Sequence, residues 1–214
     1  MRTLTLLMAL ILGLLTTPGE ENSGLTKENG YVINLDRAEK LEKMTYSSLF
    51  SKAGIIVLED TDESLLGKVD KLEVCDNNLY VLEKGRGLFL FNKQGKFIKM
   101  IGRKGKGPGE YIDPGDISVD RENKKIYVLD SQTQNVLKYS SNGTFESSFK
   151  LENKGTRSTF IQPFKNALYT NLYTFDESGK RFLLSKVDVT NGKRISFQFE
   201  ASQYNKGWNE LFST

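Results

Sequence analysis

Residues 95–111 read GKFIKMIGRKGKGPGEY, and the stretches on either side of this segment are copies of one another. Ahead of it stands Leu79-Tyr80-Val81-Leu82-Glu83 and beyond it Ile126-Tyr127-Val128-Leu129-Asp130, an apolar strand pattern that ends each time in an acid. Tyr80 and Tyr127 are 47 residues apart; Gly95 and Gly143, each just before a Lys or Thr and then a Phe, are 48 apart. A period of this length, with a Gly-rich segment joining two copies, marks a chain assembled from repeated β modules.

The first module spans about 67–111, with strands expected at 72–74, 79–82, 88–91 and 97–101, separated by Asp76-Asn77-Asn78, by Gly85 and Gly87, and by Lys93-Gln94-Gly95. The second, about 116–155, repeats it with strands at 117–119, 126–129, 136–139 and 145–149 and Asn142-Gly143 between the last two. A fainter third, about 159–202, has strands at 160–162, 168–172, 182–189 and 195–199, and its turn glycine Gly192 falls 49 residues after Gly143. Asn-Gly suits a type I′ hairpin, which needs positive φ at both central residues. Short strands are also expected at 31–35 and 55–58, with a charged, weakly helical stretch at 36–43 between them. Four-stranded modules at this period are the signature of β-propeller blades; a β-sandwich uses similar parts, but the recurring Tyr-Val-Leu-acid strand favours blades.

Residues 1–19 have the charged, apolar and small-residue parts of a secretory signal: Arg2, an apolar run at 4–15, then Thr16, Thr17, Pro18 and Gly19. That run is too short to span a bilayer comfortably. Residues 20–30 read as a polar linker and 31–214 as the folded domain, with cleavage expected between Thr17 and Glu20. Histidine is absent, which removes Ser-His-Asp triads, imidazole acid–base chemistry and nearly every zinc site. Cys75 is the single cysteine, so no intrachain disulfide forms and a buried packing role is expected.

With 30 basic and 27 acidic residues the chain carries +3, but the distribution is uneven. Residues 84–106 hold eight Lys or Arg and no acid, which leaves the rest of the chain at −5. An acid-free stretch of this kind is either one solvated face or a patch for a polyanion such as an acidic glycan, with Arg103, Lys104 and Lys106 as its loop cations and Glu110 and Tyr111 beside them. The Gly-rich connection fits a phosphate loop poorly, because Pro108 stands where the lysine is required and Glu110 would repel the anion. Glu83 and Asp130 recur at one position of the module, where an acid accepting turn N–H groups is the expected role and a channel-facing metal ligand the alternative. Asn142-Gly143-Thr144 matches a glycosylation sequon, although its turn role accounts for it, and Tyr204 and Trp208 could stack on sugars or simply pack.

The run Ile101-Gly102-Arg103-Lys104-Gly105-Lys106-Gly107-Pro108-Gly109-Glu110-Tyr111, after Phe91-Asn92-Lys93-Gln94-Gly95-Lys96-Phe97, resembles the six-bladed β-propeller family of exported proteins from Gram-negative gut bacteria, whose blades are similar to NHL repeats. The stretch IIVLEDTDESLL at 55–66 is similar to that family's leading strand. The resemblance implies an exported protein in the periplasm or at the outer cell surface, with no established activity. Members commonly carry a lipobox cysteine, where this chain has Thr17, so lipid anchoring is not expected. About three blades are visible where the family would have six, which suggests an incomplete ring: either a truncated or interrupted reading frame, or a ring closed by pairing with a second copy. The leading expectation is therefore a non-catalytic binding or scaffold module with no cofactor and a protein or glycan ligand. Nucleic acid is not an expected partner, and membrane association would need a lipid or an outer-membrane protein. Some related propellers are lactonases or lyases, and without histidine the matching enzyme would be calcium-dependent.

Overall fold

The computed structural model describes residues 43, 45–52, 54–152, 157–171, 174–176 and 178–200. The expected signal (1–19), linker (20–30) and strand at 31–35 lie outside the described residues, as do 36–42, Tyr204 and Trp208. The chain divides into two units, Met1–Gly54 and Ile55–Thr214. Within the described part of the first, Tyr46–Leu49 forms a single helical turn, α1, where the Ser48 amide and hydroxyl both donate to the Thr45 carbonyl, at 3.1 and 2.7 Å.

The second unit is all β. Strands β1 (Lys71–Cys75), β2 (Asn78–Glu83), β3 (Gly87–Asn92) and β4 (Phe97–Ile101) form one antiparallel sheet in sequence order. β5 (Pro114–Asp120), β6 (Lys125–Asp130), β7 (Asn135–Ser140) and β8 (Phe145–Lys150) form a second in the same order. The third contains β9 (Ile161–Phe164), β10 (Ala167–Thr170), the two-residue β11 (Thr174–Phe175), β12 (Arg181–Asp188) and β13 (Arg194–Glu200). β10 ends at Thr170, where the sequence reads a strand over 168–172, whose last residue lies outside the described residues.

Burial follows the stacking of these sheets. Central strands β2 and β6 are apolar on both faces because both faces are covered, whereas outer strand β4 is fully buried only at Ile101 and outer strand β8 is mostly exposed and more polar. Tyr80, Leu82, Leu88, Leu90 and Ile101 of the first sheet pack against Ile117, Val119, Ile126, Val128, Leu137 and Tyr139 of the second. The opposite face of the second sheet, with Tyr127, Leu129, Val136 and Phe149, packs on Ile161, Leu168 and Val187 of the third. The first strands of the sheets are neighbours, β1 to β5 and β5 to β9. A polar strut ties them: the Asp116 carboxylate accepts from Lys71 Nζ at 2.8 Å and from the Ile161 amide at 2.9 Å. Leu72 and Val74 are 52% and 45% exposed, while their counterparts Ile117 and Val119 are 0% and 5% exposed beneath the first sheet. The same residue type at the same module position is buried only where a sheet lies over it.

Two local expectations are corrected. Residues 55–58 do not join a sheet; the segment is tied to the first sheet by the Glu59 amide donating to Gly95 O at 2.7 Å and by Glu59 Oε2 accepting from the Phe97 amide at 2.8 Å. Apolar composition marks a potential strand, but a strand needs a backbone partner, and Ile55 stays 93% exposed. Nor is Asn142-Gly143 a type I′ turn. Only Gly143 has positive φ (79°), the Asn142 side chain accepts from the Thr144 amide at 3.0 Å, and the ladder shifts register between Lys138 and Tyr139. This is the longer hairpin loop with a bulge. Positive φ at both central residues occurs instead at Lys165 (44°) and Asn166 (60°), the two-residue turn between β9 and β10.

Candidate functional site

The Gly-rich connection leaves β4 at Ile101, crosses to the second sheet, and is pinned there by two phenols. Tyr111 is completely buried; its hydroxyl donates to Ile101 O at 3.0 Å and accepts from the Leu88 amide at 3.1 Å. The Tyr139 hydroxyl donates to Gly109 O at 3.1 Å. Burial pushes the pKa of both phenols up, so both remain protonated donors at neutral pH. Gly109 itself has φ 72°, and a Cβ there would lie 2.9 Å from Phe145 Cβ, so glycine is what lets the loop settle on that ring.

Between these pins the loop wraps around its own carboxylate. Glu110 Oε1 accepts from Arg103 Nε at 2.6 Å, and Oε2 accepts from the Gly107 amide at 2.8 Å. The Gly107 N–H, followed by the Arg103 side chain, holds the Glu110 carboxyl below its ordinary pKa. A depressed folded-state pKa contributes stability above the ordinary glutamate value and loses it as pH falls through the folded value. Glu110→Gln is therefore expected to lower the melting temperature at neutral pH, with a gap to the parent that closes in acid. Thermal melts across that range check this; a gap unchanged in acid means that the carboxylate does not hold the loop.

Three other loop amides are also committed. Gly105 N donates to Tyr111 O at 3.1 Å, Glu110 N to Gly107 O at 3.0 Å and Tyr111 N to Arg103 O at 3.0 Å. At the far side Asp130, 2% exposed, accepts from the amides of Ile112 at 2.7 Å, Gln132 at 2.9 Å and Thr133 at 3.0 Å. Its counterpart Glu83 makes a looser set, with the Gly67 amide at 3.3 Å and Arg86 at 3.5 Å. Among the described residues no group of three or more His, Cys, Asp or Glu stands together as metal ligands.

A groove of about 700 Å³ runs between this loop and the outer strands of the second sheet, with a recess of about 300 Å³ beside it. Gly109, Pro108, Glu110 and Phe145 border both. Lys106 lines the larger and Arg103 the smaller. Of the other residues expected here, Lys104 bridges to Tyr111 through its backbone and lines neither space, and Tyr111 lies in the core. The remaining cations of 84–106 belong to the first sheet and its turns, where Arg86 stacks over Phe89 at 5.1 Å. The groove also contains Asn135, Ser147 and Ser148, whose side chains make no hydrogen bond among the described residues. Those three and Phe145 escape sequence reasoning because they sit on two different strands and form no motif. The repeated Gly-Thr-Phe hairpin at 143–145 is the one signal that could have found Phe145.

Residues 30–213 match the family described as "Domain of unknown function (DUF4934)". The chain belongs to this family. Among solved structures the DUF4934 chain is similar to a Bacteroides fragilis protein provisionally named as exported, at 26% identity and a TM-score of 0.58, over 68% of this chain and 41% of that one. The chain thus spans about two fifths of that protein's length. Two further likenesses are the nidogen/laminin complex (12% identity, TM-score 0.44, 59% of this chain and 44% of that one) and a DUF4221 member from Bacteroides vulgatus (10%, 0.41, 56% and 38%). No curated protein matches. No helix among the described residues is long and apolar enough to cross a membrane.

Proposed function

We propose that this chain is an exported, non-catalytic binding module whose stacked sheets are blades of a β-propeller and whose ligand site is the groove under the Gly-rich connection. Export is supported by the signal pattern of residues 1–19 and by the likeness to a protein named as exported. The reading we favour is a module of the periplasm or outer surface of a Gram-negative cell, without a lipid because Thr17 stands where a lipobox cysteine would be. Blades are supported by face-to-face stacking with the first strands of the sheets side by side.

One observation carries the binding reading. The groups in and around the groove that could move protons, Glu110, Asp130, Tyr111 and Tyr139, are all held in intramolecular hydrogen bonds. The side chains left for a ligand are hydroxyls, an amide, an ammonium and an aromatic ring, and with Glu110 and Asp130 engaged and no imidazole in the chain there is no evident base among the described residues beside the hydroxyls to activate them, so the set suits binding better than catalysis. A panel of lactones and esters, incubated with and without calcium, is expected to show no turnover. Calcium-dependent turnover abolished in a folded Asp130→Asn protein would replace this reading by an enzymatic one.

A further inference from the structure

We infer that the groove receives an acidic oligosaccharide, a chain of sugar rings bearing carboxylates, laid across Phe145 with its charges directed to Lys106 on one side and Arg103 on the other. The inference rests on the groove being the ligand site proposed above and goes on to name the ligand's chemistry. Four properties of the site point the same way.

The first is charge. Two carboxylates border the groove, but neither presents free negative charge to a ligand. Glu110 is bound by Arg103 and by the Gly107 amide, and Asp130 accepts three backbone N–H groups. Glu146, on β8 between the groove residues Phe145 and Ser147, pairs with Lys125 and with Lys138. Lys106 forms no ion pair among the described residues, and Arg103, 81% exposed, donates to Glu110 through Nε only, leaving its outer N–H groups for another acceptor. An incoming carboxylate therefore meets one cation, Lys106, unpaired among the described residues, and the outer N–H donors of a guanidinium already paired with Glu110.

The second is hydrogen-bonding type. Asn135, Ser147 and Ser148 supply both donors and acceptors, as a ligand rich in hydroxyls requires and a simple polyanion does not. The third is the ring of Phe145, flanked edge-on by Tyr139 with centroids 5.7 Å apart and bordering both spaces. It supplies an apolar platform of the kind that the C–H face of a sugar covers. The fourth excludes the nearest competitor. A phosphate-binding loop needs N–H groups aimed at its ligand, and here those of Gly105, Gly107, Glu110 and Tyr111 all donate within the loop. The arrangement is cation, ring, cation, with neutral polar groups along one wall.

Calorimetric titration of the folded chain with oligogalacturonate, with the neutral oligogalactoside of the same length, and with polyglutamate tests this. Oligogalacturonate is expected to bind about tenfold more tightly than either of the others, and to weaken as salt is raised. Lys106→Ala should lower its affinity about tenfold and Asn135→Ala about fivefold, because each removes one hydrogen-bonding group from an exposed site. Both side chains are free of structural bonds, so unchanged thermal melts are expected to show intact folding. Polyglutamate binding as well as oligogalacturonate would reduce the site to a general anion patch and overturn the inference. If the neutral chain binds equally and Asn135→Ala weakens it, the groove stands as the ligand site while the acidic class is wrong. If neither variant alters binding of any probe, the groove reading falls as well.

Discussion

Asp130→Ala is expected to lower the stability of the folded chain by about 2 to 4 kcal/mol, the cost of leaving three part-buried amides without their charged acceptor. The carboxylate closes β6, with one oxygen on the amide of Ile112 at the end of the Gly-rich connection and the other on the amides of Gln132 and Thr133 in the next turn. Alanine removes both oxygens from a site that is 2% exposed, and water entering from the groove replaces only part of what a charged acceptor supplies to three amides. Asparagine keeps one carbonyl acceptor and should cost about half as much. Glu83, at the same place in the first module, is bound through longer contacts, and Glu83→Ala should cost about 1 kcal/mol. Urea unfolding measures all three: the midpoint should fall in the order Asp130→Ala, Asp130→Asn, Glu83→Ala, with the slope unchanged. Equal effects at Asp130 and Glu83 would mean that the shared sequence position, and not the bonds it makes, sets the cost.

Tyr111→Phe should destabilise the chain by about 2 kcal/mol, and Tyr111→Ala by about 4 to 5 kcal/mol. The phenylalanine ring refills the same space between the first two sheets, so its whole effect comes from the hydroxyl that joins Leu88 N to Ile101 O. Those two residues are opposed in the β3–β4 ladder, and the phenol closes that end of it. Alanine adds the loss of a fully buried ring. An alkaline signature separates the hydroxyl from the packing. Because burial raises the folded-state pKa of Tyr111, its contribution is complete below the ordinary tyrosine value and is lost as pH rises through the folded value. Above pH of about 10 the parent should therefore lose stability faster than Tyr111→Phe, which lacks that titrating group. Parallel losses in the two proteins would show that the phenol's ionisation does not enter.

The module pattern was legible because each strand is written locally. The short continuous apolar runs of 79–82 and 126–129, and glycines at 95, 143 and 192 that all have positive φ, need nothing beyond their own neighbours to be read. Where a turn or strand depends on what lies across from it, local reading failed. Asn142 keeps its φ out of the positive range because its side chain is engaged with Thr144, and residues 55–58 form no strand because, among the described residues, they approach the Gly95 turn without forming a ladder.

The site divides in the same way. From the basic run alone Arg103, Lys104, Lys106, Glu110 and Tyr111 look alike as candidates, yet the fold treats them differently. It places Tyr111 in the core, spends Glu110 on its own loop, and leaves Arg103 and Lys106 on either side of a ring contributed by β8. The sequence by itself determined the repeat, the all-β class and the positions of the turns, since these follow from the two-residue period of a strand and the φ demands of glycine. Only the tertiary structure decided which charges are already paired and which polar groups converge. That depends on sheets stacking face to face, which brings loop residues 103–110 against strand residues 135–148, and no local pattern encodes the contact.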